Sequence, residues 1–481
     1  MDKGKFRESV PWLLGGGGVA ALFAAVAAMS PMMGLAMVGG VVLLTGVAVL
    51  VNSPQVITPV AYATVGLLFV DISPVAIGGS AVRLYQPLSV MILAGALVAP
   101  KAKMGAGVGP AFKWLFVFTA MVAASYAWTI SPQDTIVVAA GQAYLLFLFC
   151  VVCMLLNRGH VTLAGLQTAL WAGALVTSVF AVGQFFGGFA GLTWQLQRVT
   201  GIPWARPAGL MLEPDWAAVA AGIGFMLALY RPMGSKYRAL SLCVFALVLI
   251  VTGVRAVWLA AAVVCVLLLF APKYRGKVFK AGLVALSVVG LVAFFVNGYY
   301  PNMLSDAFGR LDPANLFDSK ADGGALDSRL GVLELISDQG GINALLGHGA
   351  GSLAHATSLN INAVRYVGGG ELNAGRGSAN LLATSYWDIG QVGVVVVAML
   401  ILSWFFSAWK IRRSVPVMLP LAIFLIVDFQ ANNGIRFGFV WVLLAIASWA
   451  VRNKEAPSSP PVEVQQAGKV SGLEVVGHVV R

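Results

Sequence analysis

Between residues 12 and 451 the chain is a succession of apolar runs of about 15 to 30 residues, each closed by Pro, Gly or charge. A run of that length is what a helix needs to cross a bilayer. The pattern predicts crossings near 12–29, 32–51, 56–72, 84–99, 112–128, 135–156, 161–186, 209–230, 239–253, 255–271, 278–296, 379–408, 416–430 and 434–451. The pair 239–253 and 255–271 reads either as two short spans with a turn at TGVR or as one very long helix. The predicted fold is therefore an all-α polytopic membrane protein of about 14 transmembrane helices, 12 being possible, with one large, partly helical external loop.

Composition sharpens this picture. Of 481 residues 59% are hydrophobic and 10% charged, with a mean hydropathy of +0.86, which excludes an ordinary soluble domain. The first residues, MDKGKFRESVPWLLGGGG, have the basic start of a signal peptide, but a second apolar run follows at once and the segment reads as a retained first span. After Arg452 the sequence NKEAPSSPPVEVQQAG is polar and Pro/Ser-rich, as in a disordered tail. Cys150, Cys153, Cys243 and Cys265 all lie in apolar runs, so the CxxC within LLFLFCVVCMLL reads as small packing residues. Four regions result: an N-terminal bundle over 1–296, a cap loop over 297–378, C-terminal helices over 379–451 and a tail over 452–481.

Charge orients the spans. With the N-terminus inside, the segments MDKGKFRE, PKAKMGAGVGPAFK, NRGH, YRPMGSKYR, APKYRGKVFK, KIRRS and RNKE fall on the cytoplasmic side and hold 19 of the 31 Lys and Arg residues. Merging the doubtful pair would reverse the alternation downstream. The net charge of +12 is thus assigned to topology and anionic lipid, not to nucleic acid. Loop 297–378 carries eight acidic and five basic residues and is far longer than a connection requires. In it SRLGVLELISDQGG reads as a short amphipathic helix ended by glycine, and GHGAGSLAHATS and VGGGELNAGRGS as irregular backbone, together forming a cap over an outward cavity.

Some charges are not explained by topology. Arg83, Arg198, Arg206, Arg255, Arg310, Arg329, Arg365, Arg376 and Arg436 lie on the outward side, where arginine near lipid is retained when it faces a cavity or a partner. Arg255, in LVLIVTGVRAVWLAAAVVCV, is either a snorkelling turn residue or an anion ligand at a helix N-terminus. RPAGLMLEPDWAAVA places Arg206 before a helix start that also carries Glu213, Pro214 and Asp215. Carboxylates suit a first turn, but a cation there opposes the helix dipole unless an anion stands beside it, either Glu213 or a ligand phosphate. Run 379–408 makes about 45 Å of helix against about 30 Å of hydrocarbon, so its first turns must tilt or stand proud, putting Asn380 and Asp388 at the outer interface. Asp388 is a partner for an arginine or a proton acceptor. His348 and His355 are solvated loop residues or general bases near neutral pH.

Four stretches, RPAGLMLEPDWAAVA, TGVRAVWL, DSRLGVLE with LLGHGAGS, and NLLATSYWDIGQVG, together resemble the O-antigen ligase and O-antigen polymerase superfamily over about residues 160–450. The chain departs from the family's His-Asn at the last helix start, where it reads Ser378, Ala379 and Asn380. The resemblance implies a bacterial inner-membrane glycosyltransferase with a periplasmic loop and cytoplasmic termini. A polyprenyl-diphosphate-linked oligosaccharide would be its donor, an acceptor glycan its second substrate, and other polysaccharide assembly proteins its partners. Arg206, Arg255 and Arg329 would hold the diphosphate. Glu213, Asp388 and His348 complete the candidate catalytic set, and Asp215, Asn380, His355 and Arg376 the substrate-binding set. Neither a metal nor an organic cofactor is expected. Polymerisation of an exported polysaccharide is the first expectation and ligase-type transfer of a finished glycan the alternative; a transporter or flippase is the rival from another class.

Overall fold

The computed structural model describes residues 45–46, 48–50, 53–71, 75–77, 80–98, 109–192, 194, 196–197, 205–230, 234–299, 336–337, 339–353, 356 and 380–455. Its helices, in chain order, are α1 Ile57–Gly66, α2 Tyr85–Val98, α3 Ala111–Ala124, α4 Pro132–Asn157, α5 Leu163–Phe189, α6 Pro214–Tyr230, α7 Ser235–Thr252, α8 Arg255–Leu269, α9 Pro272–Tyr299, α10 Gly341–Leu346, α11 Leu381–Lys410, α12 Met418–Asp428 and α13 Gly438–Glu455. Two antiparallel ribbons accompany them, β1 Val75–Ile77 with β2 Ser80–Val82, and β3 Leu196–Gln197 with β4 Arg206–Pro207. The architecture is all-helical. Among the described residues three helices, α4, α5 and α11, are long and apolar enough to cross a membrane.

Each predicted span from 56–72 onward falls on a helix. The predicted span 12–29 and most of 32–51 lie outside the described residues, as does the tail after 455. The doubtful pair resolves into α7 and α8, because the backbone turns at Gly253, whose N–H bonds the Ile250 carbonyl. Helix starts follow local chemistry: Thr162 caps α5 by accepting from the Gly165 N–H, Asn380 caps α11 by accepting from the Ala383 N–H, and Pro132 occupies the first turn of α4. The predicted helix start near 209 moves to Pro214, since 206–213 is taken up by β4 and a bend.

The helices alternate in direction, and loop contacts sort into two ends. At one end Asp71 N bonds Leu210 O (2.8 Å), the Trp128 indole bonds Leu346 O (3.0 Å), Ile130 N bonds His348 O (3.1 Å) and Leu381 N bonds Phe429 O (3.0 Å). At the other, the Thr58 hydroxyl bonds His160 O (2.7 Å), the Trp449 indole bonds Asn157 Oδ1 (2.9 Å) and Tyr230 lies against Tyr274 (4.8 Å). The first group joins segments assigned outward from charge; the second joins those assigned inward. Helix α6 is central, with Ala217–Leu229 buried and packed by α5, α7, α8 and α12. Its Gly222 and Gly224 leave room for the rings of Phe424 and Phe245, so neighbouring helices approach closely.

The longest run is not one straight helix. Gly390 takes φ +67° and ψ −161°, breaking the α11 ladder a third of the way along. The carbonyls of Trp387 and Asp388, which would have served the next turn, accept instead from the N–H groups of His348 (2.8 Å) and Gly349 (3.0 Å). Backbone that cannot reach water is thus satisfied by the loop. Beside the break Asp388, expected at the outer interface, is buried within the protein. In the loop the short helix begins at Gly341, so the glycine predicted to end a helix over SRLGVLELISDQGG starts another; most of that stretch lies outside the described residues.

Gly390→Ala should destabilise the protein well beyond the roughly 1–2 kcal/mol of a left-handed residue alone, because a Cβ there would overlap the Leu345 carbonyl. Gly159→Ala, at φ +71° with open space around it, should cost only that backbone term. Unfolding in mixed micelles compares the two.

Candidate functional site

The loop carrying Arg206 is held from below by α5. Gln184 Oε1 accepts from the N–H groups of Ala208 (3.1 Å) and Gly209 (2.7 Å), while its amide donates to Gly209 O (2.9 Å). Gly209 sits at φ +64° against the Thr177 carbonyl, where a side chain would overlap. One buried amide side chain thus fixes both sides of a turn, and β4, paired with Gln197, carries Arg206 out of it. The bond from Asp71 N to Leu210 O ties the same loop to the ion pair between Asp71 and Arg83.

Arg206 joins two helix ends. Its Nε donates to the carbonyl of Thr252 at the C-terminus of α7, and its Nη2 to Asp215 Oδ1 (2.5 Å) in the first turn of α6. A guanidinium suits the negative end of α7 and a carboxylate the positive end of α6. The anion required beside Arg206 is supplied by Asp215. Thr252 lies one turn before Arg255, the first residue of α8, so the RPAG loop and the TGVR turn meet in space. Glu213 stands two residues before Asp215, just ahead of α6.

A second cluster forms where the loop meets α11. Asp388 Oδ1 accepts from the Gly351 N–H (3.1 Å), and Arg436 Nη2 lies 3.9 Å from Oδ2. His348 stacks on Trp387 (4.2 Å, 14°), whose indole donates to the Ser352 hydroxyl (3.0 Å). His348 Nδ1 is buried with no hydrogen-bond partner among the described residues, and burial pushes the imidazole below its ordinary value. A narrow hollow beside Asp388 is lined by Gln142, Thr384, Ser385, Asn433 and Arg436. Asn380 spends its side-chain oxygen on the α11 cap.

Between the clusters lies the segment DFQANNGIRF, of which only Arg436 stood out in the sequence. Asp428, fully buried at the end of α12, accepts from the Asn432 amide (2.8 Å) and lies within electrostatic range of Asp215. Trp216 packs tilted against Phe437 at 4.0 Å, which brings the start of α6 against the turn carrying Arg436. The available signal was one aspartate and two asparagines closing an apolar run.

Of the predicted site residues, Arg206, Asp215 and the turn of Arg255 come together, and Asp388 and His348 share the second cluster. Arg329, His355 and Arg376, like Arg198, Arg310 and Arg365, lie outside the described residues. Among the described residues no group of three His, Cys, Asp or Glu side chains is placed to hold a metal ion. Comparison with protein-family models and with curated proteins finds no match.

The Arg206–Asp215 pair should show a coupling of about 1–3 kcal/mol in a double-mutant cycle of Arg206→Ala and Asp215→Asn, read from unfolding in mixed micelles. The His348 contribution runs with pH. Its folded value lies below the free imidazole value, so stability is complete above that value and falls as pH drops through it. In His348→Gln the loss of stability below about pH 6.5 should be smaller.

Proposed function

We propose that the protein is a bacterial inner-membrane glycosyltransferase with about 14 crossings and both termini in the cytoplasm. It transfers a polyprenyl-diphosphate-linked glycan to an acceptor sugar hydroxyl and so extends an exported polysaccharide. The observation that carries this reading is the meeting of Arg206, Asp215 and the Thr252–Arg255 turn at the same end of the bundle as the Asp388–His348 cluster. On this reading that end faces the periplasm, because the basic segments gather at the other.

In the reaction the acceptor oxygen bonds to C1 of the donor sugar, the bond from C1 to the diphosphate oxygen breaks, and the acceptor proton passes to a base. Charge grows on the departing diphosphate. Guanidinium groups fixed beforehand at that point stabilise the transition state more than the ground state. Arg206 is suited to this role because Gln184 and Asp215 hold it without further reorganisation. His348, whose imidazole burial pushes below its ordinary value, and Asp388 are the groups nearest to hand as proton acceptors.

A transporter of lipid-linked sugars is the second reading, and the broken helix at Gly390 is the observation favouring it. Purified protein in nanodiscs, given a polyprenyl diphosphate oligosaccharide, should yield a ladder of longer glycans. Arg206→Ala and Arg255→Ala should each reduce that rate about 100-fold or more. Transfer of the intact glycan to a lipid or protein acceptor would reassign the protein as a ligase, and movement across the membrane without bond formation as a transporter.

A further inference from the structure

The two arginines near the start of α6 differ in what they have left to offer. Arg206 is 12% exposed, and both its Nε and its Nη2 are committed, to Thr252 O and to Asp215. Arg436 is 46% exposed, and its closest anion among the described residues, Asp388 Oδ2, stands at 3.9 Å, beyond hydrogen-bond reach. A guanidinium restrained by a carboxylate but not bonded to it keeps its planar fork of donors for something else.

Its placement narrows what that is. Arg436 closes the short turn Gly434–Arg436 between α12 and α13, and the next residue, Phe437, packs against Trp216, the neighbour of Asp215. Arg436 lines the polar hollow with Asp388, Asn433 and Gln142 and stays about half exposed, and through Phe437 and Trp216 its turn lies beside the start of α6 that holds Arg206. Asp388 is itself anchored by the Gly351 N–H, so its carboxylate is a fixed post that aims Arg436 without consuming its donors.

We propose that Arg436 is a further ligand for the donor's diphosphate, positioned by Asp388, and that with Arg206 it grips the leaving group from the α12–α13 side. This rests on the transfer reading given above. Two guanidiniums on separate helix turns match an anion with two phosphoryl groups, and the open fork supplies the bidentate contact that Arg206 has partly spent on Asp215.

The test is binding of inorganic pyrophosphate to the full-length protein in phosphatidylcholine nanodiscs, followed by titration calorimetry. Arg436→Ala should weaken binding about tenfold or more, and Arg436→Lys, which keeps the charge but not the fork, should fall between. Arg412→Ala, whose guanidinium stacks on Trp409 at the opposite end, should bind as the unaltered protein does. Should Arg436→Ala lower the unfolding midpoint, Arg436→Gln is read in its place. Unchanged binding in the Arg436 variants alongside loss in Arg206→Ala overturns this assignment and leaves the transfer reading standing. Absence of binding to the unaltered protein overturns both. If phosphatidylglycerol in the nanodisc abolishes the difference between Arg436→Ala and the unaltered protein, Arg436 serves bulk lipid and the assignment fails.

Discussion

The end of the bundle that holds the candidate site depends on two carbonyl groups. Where Gly390 interrupts α11, Trp387 and Asp388 lose the donors of the next turn, and an unserved carbonyl among apolar helices costs several kcal/mol. The backbone N–H groups of His348 and Gly349 fill that need. Everything nearby follows from the exchange: the loop is pulled onto the helix, His348 is laid flat on Trp387, and Gly351 is delivered to the Asp388 carboxylate. The same loop reaches α3 and α4 through Ile130, Trp128 and the Thr135 hydroxyl, so the interrupted helix also organises its neighbours.

The Arg206 cluster is built on the opposite principle, with charges satisfied at helix termini. Arg206 neutralises the carbonyl end of α7 and is itself neutralised by a carboxylate at the amide end of α6. Since Gln184 fixes the loop beneath it, the guanidinium is set before any ligand arrives. Trp216 against Phe437 then couples this arrangement to the turn that carries Arg436, and Asp428 lies in between.

Helix positions were legible in the chain because a bilayer crossing is a matter of length and apolarity, both local properties. The division of α7 from α8 was legible too, because the alternation of basic segments required it. That Arg206 needs an anion could be foreseen, since a cation ahead of a helix start demands one close by, but the anion expected was Glu213 or a ligand phosphate and the one that bonds it is Asp215. What could not be read is whatever joins distant segments. Nothing in GHGAGS announces that it will cap a break in α11, and the apolar run around Gly390 looks continuous because a single glycine among apolar residues carries no polarity signal. Asp388 with Arg436, and Asp428 with Asp215, likewise depend on which helix ends meet. The part of Asn380 that did emerge is local, its oxygen capping α11.

The central position of α6 has a mechanical meaning. Its flanks touch protein from Ala217 to Leu229, with glycines seating the rings of its neighbours, so variations in lipid thickness and tension press on the outer helices first. Asp215 and the arginine it holds are therefore mounted on a shaft insulated from the outer helices, and on the proposed reading a long-tailed lipid deforms its surroundings without detuning the groups that meet its head.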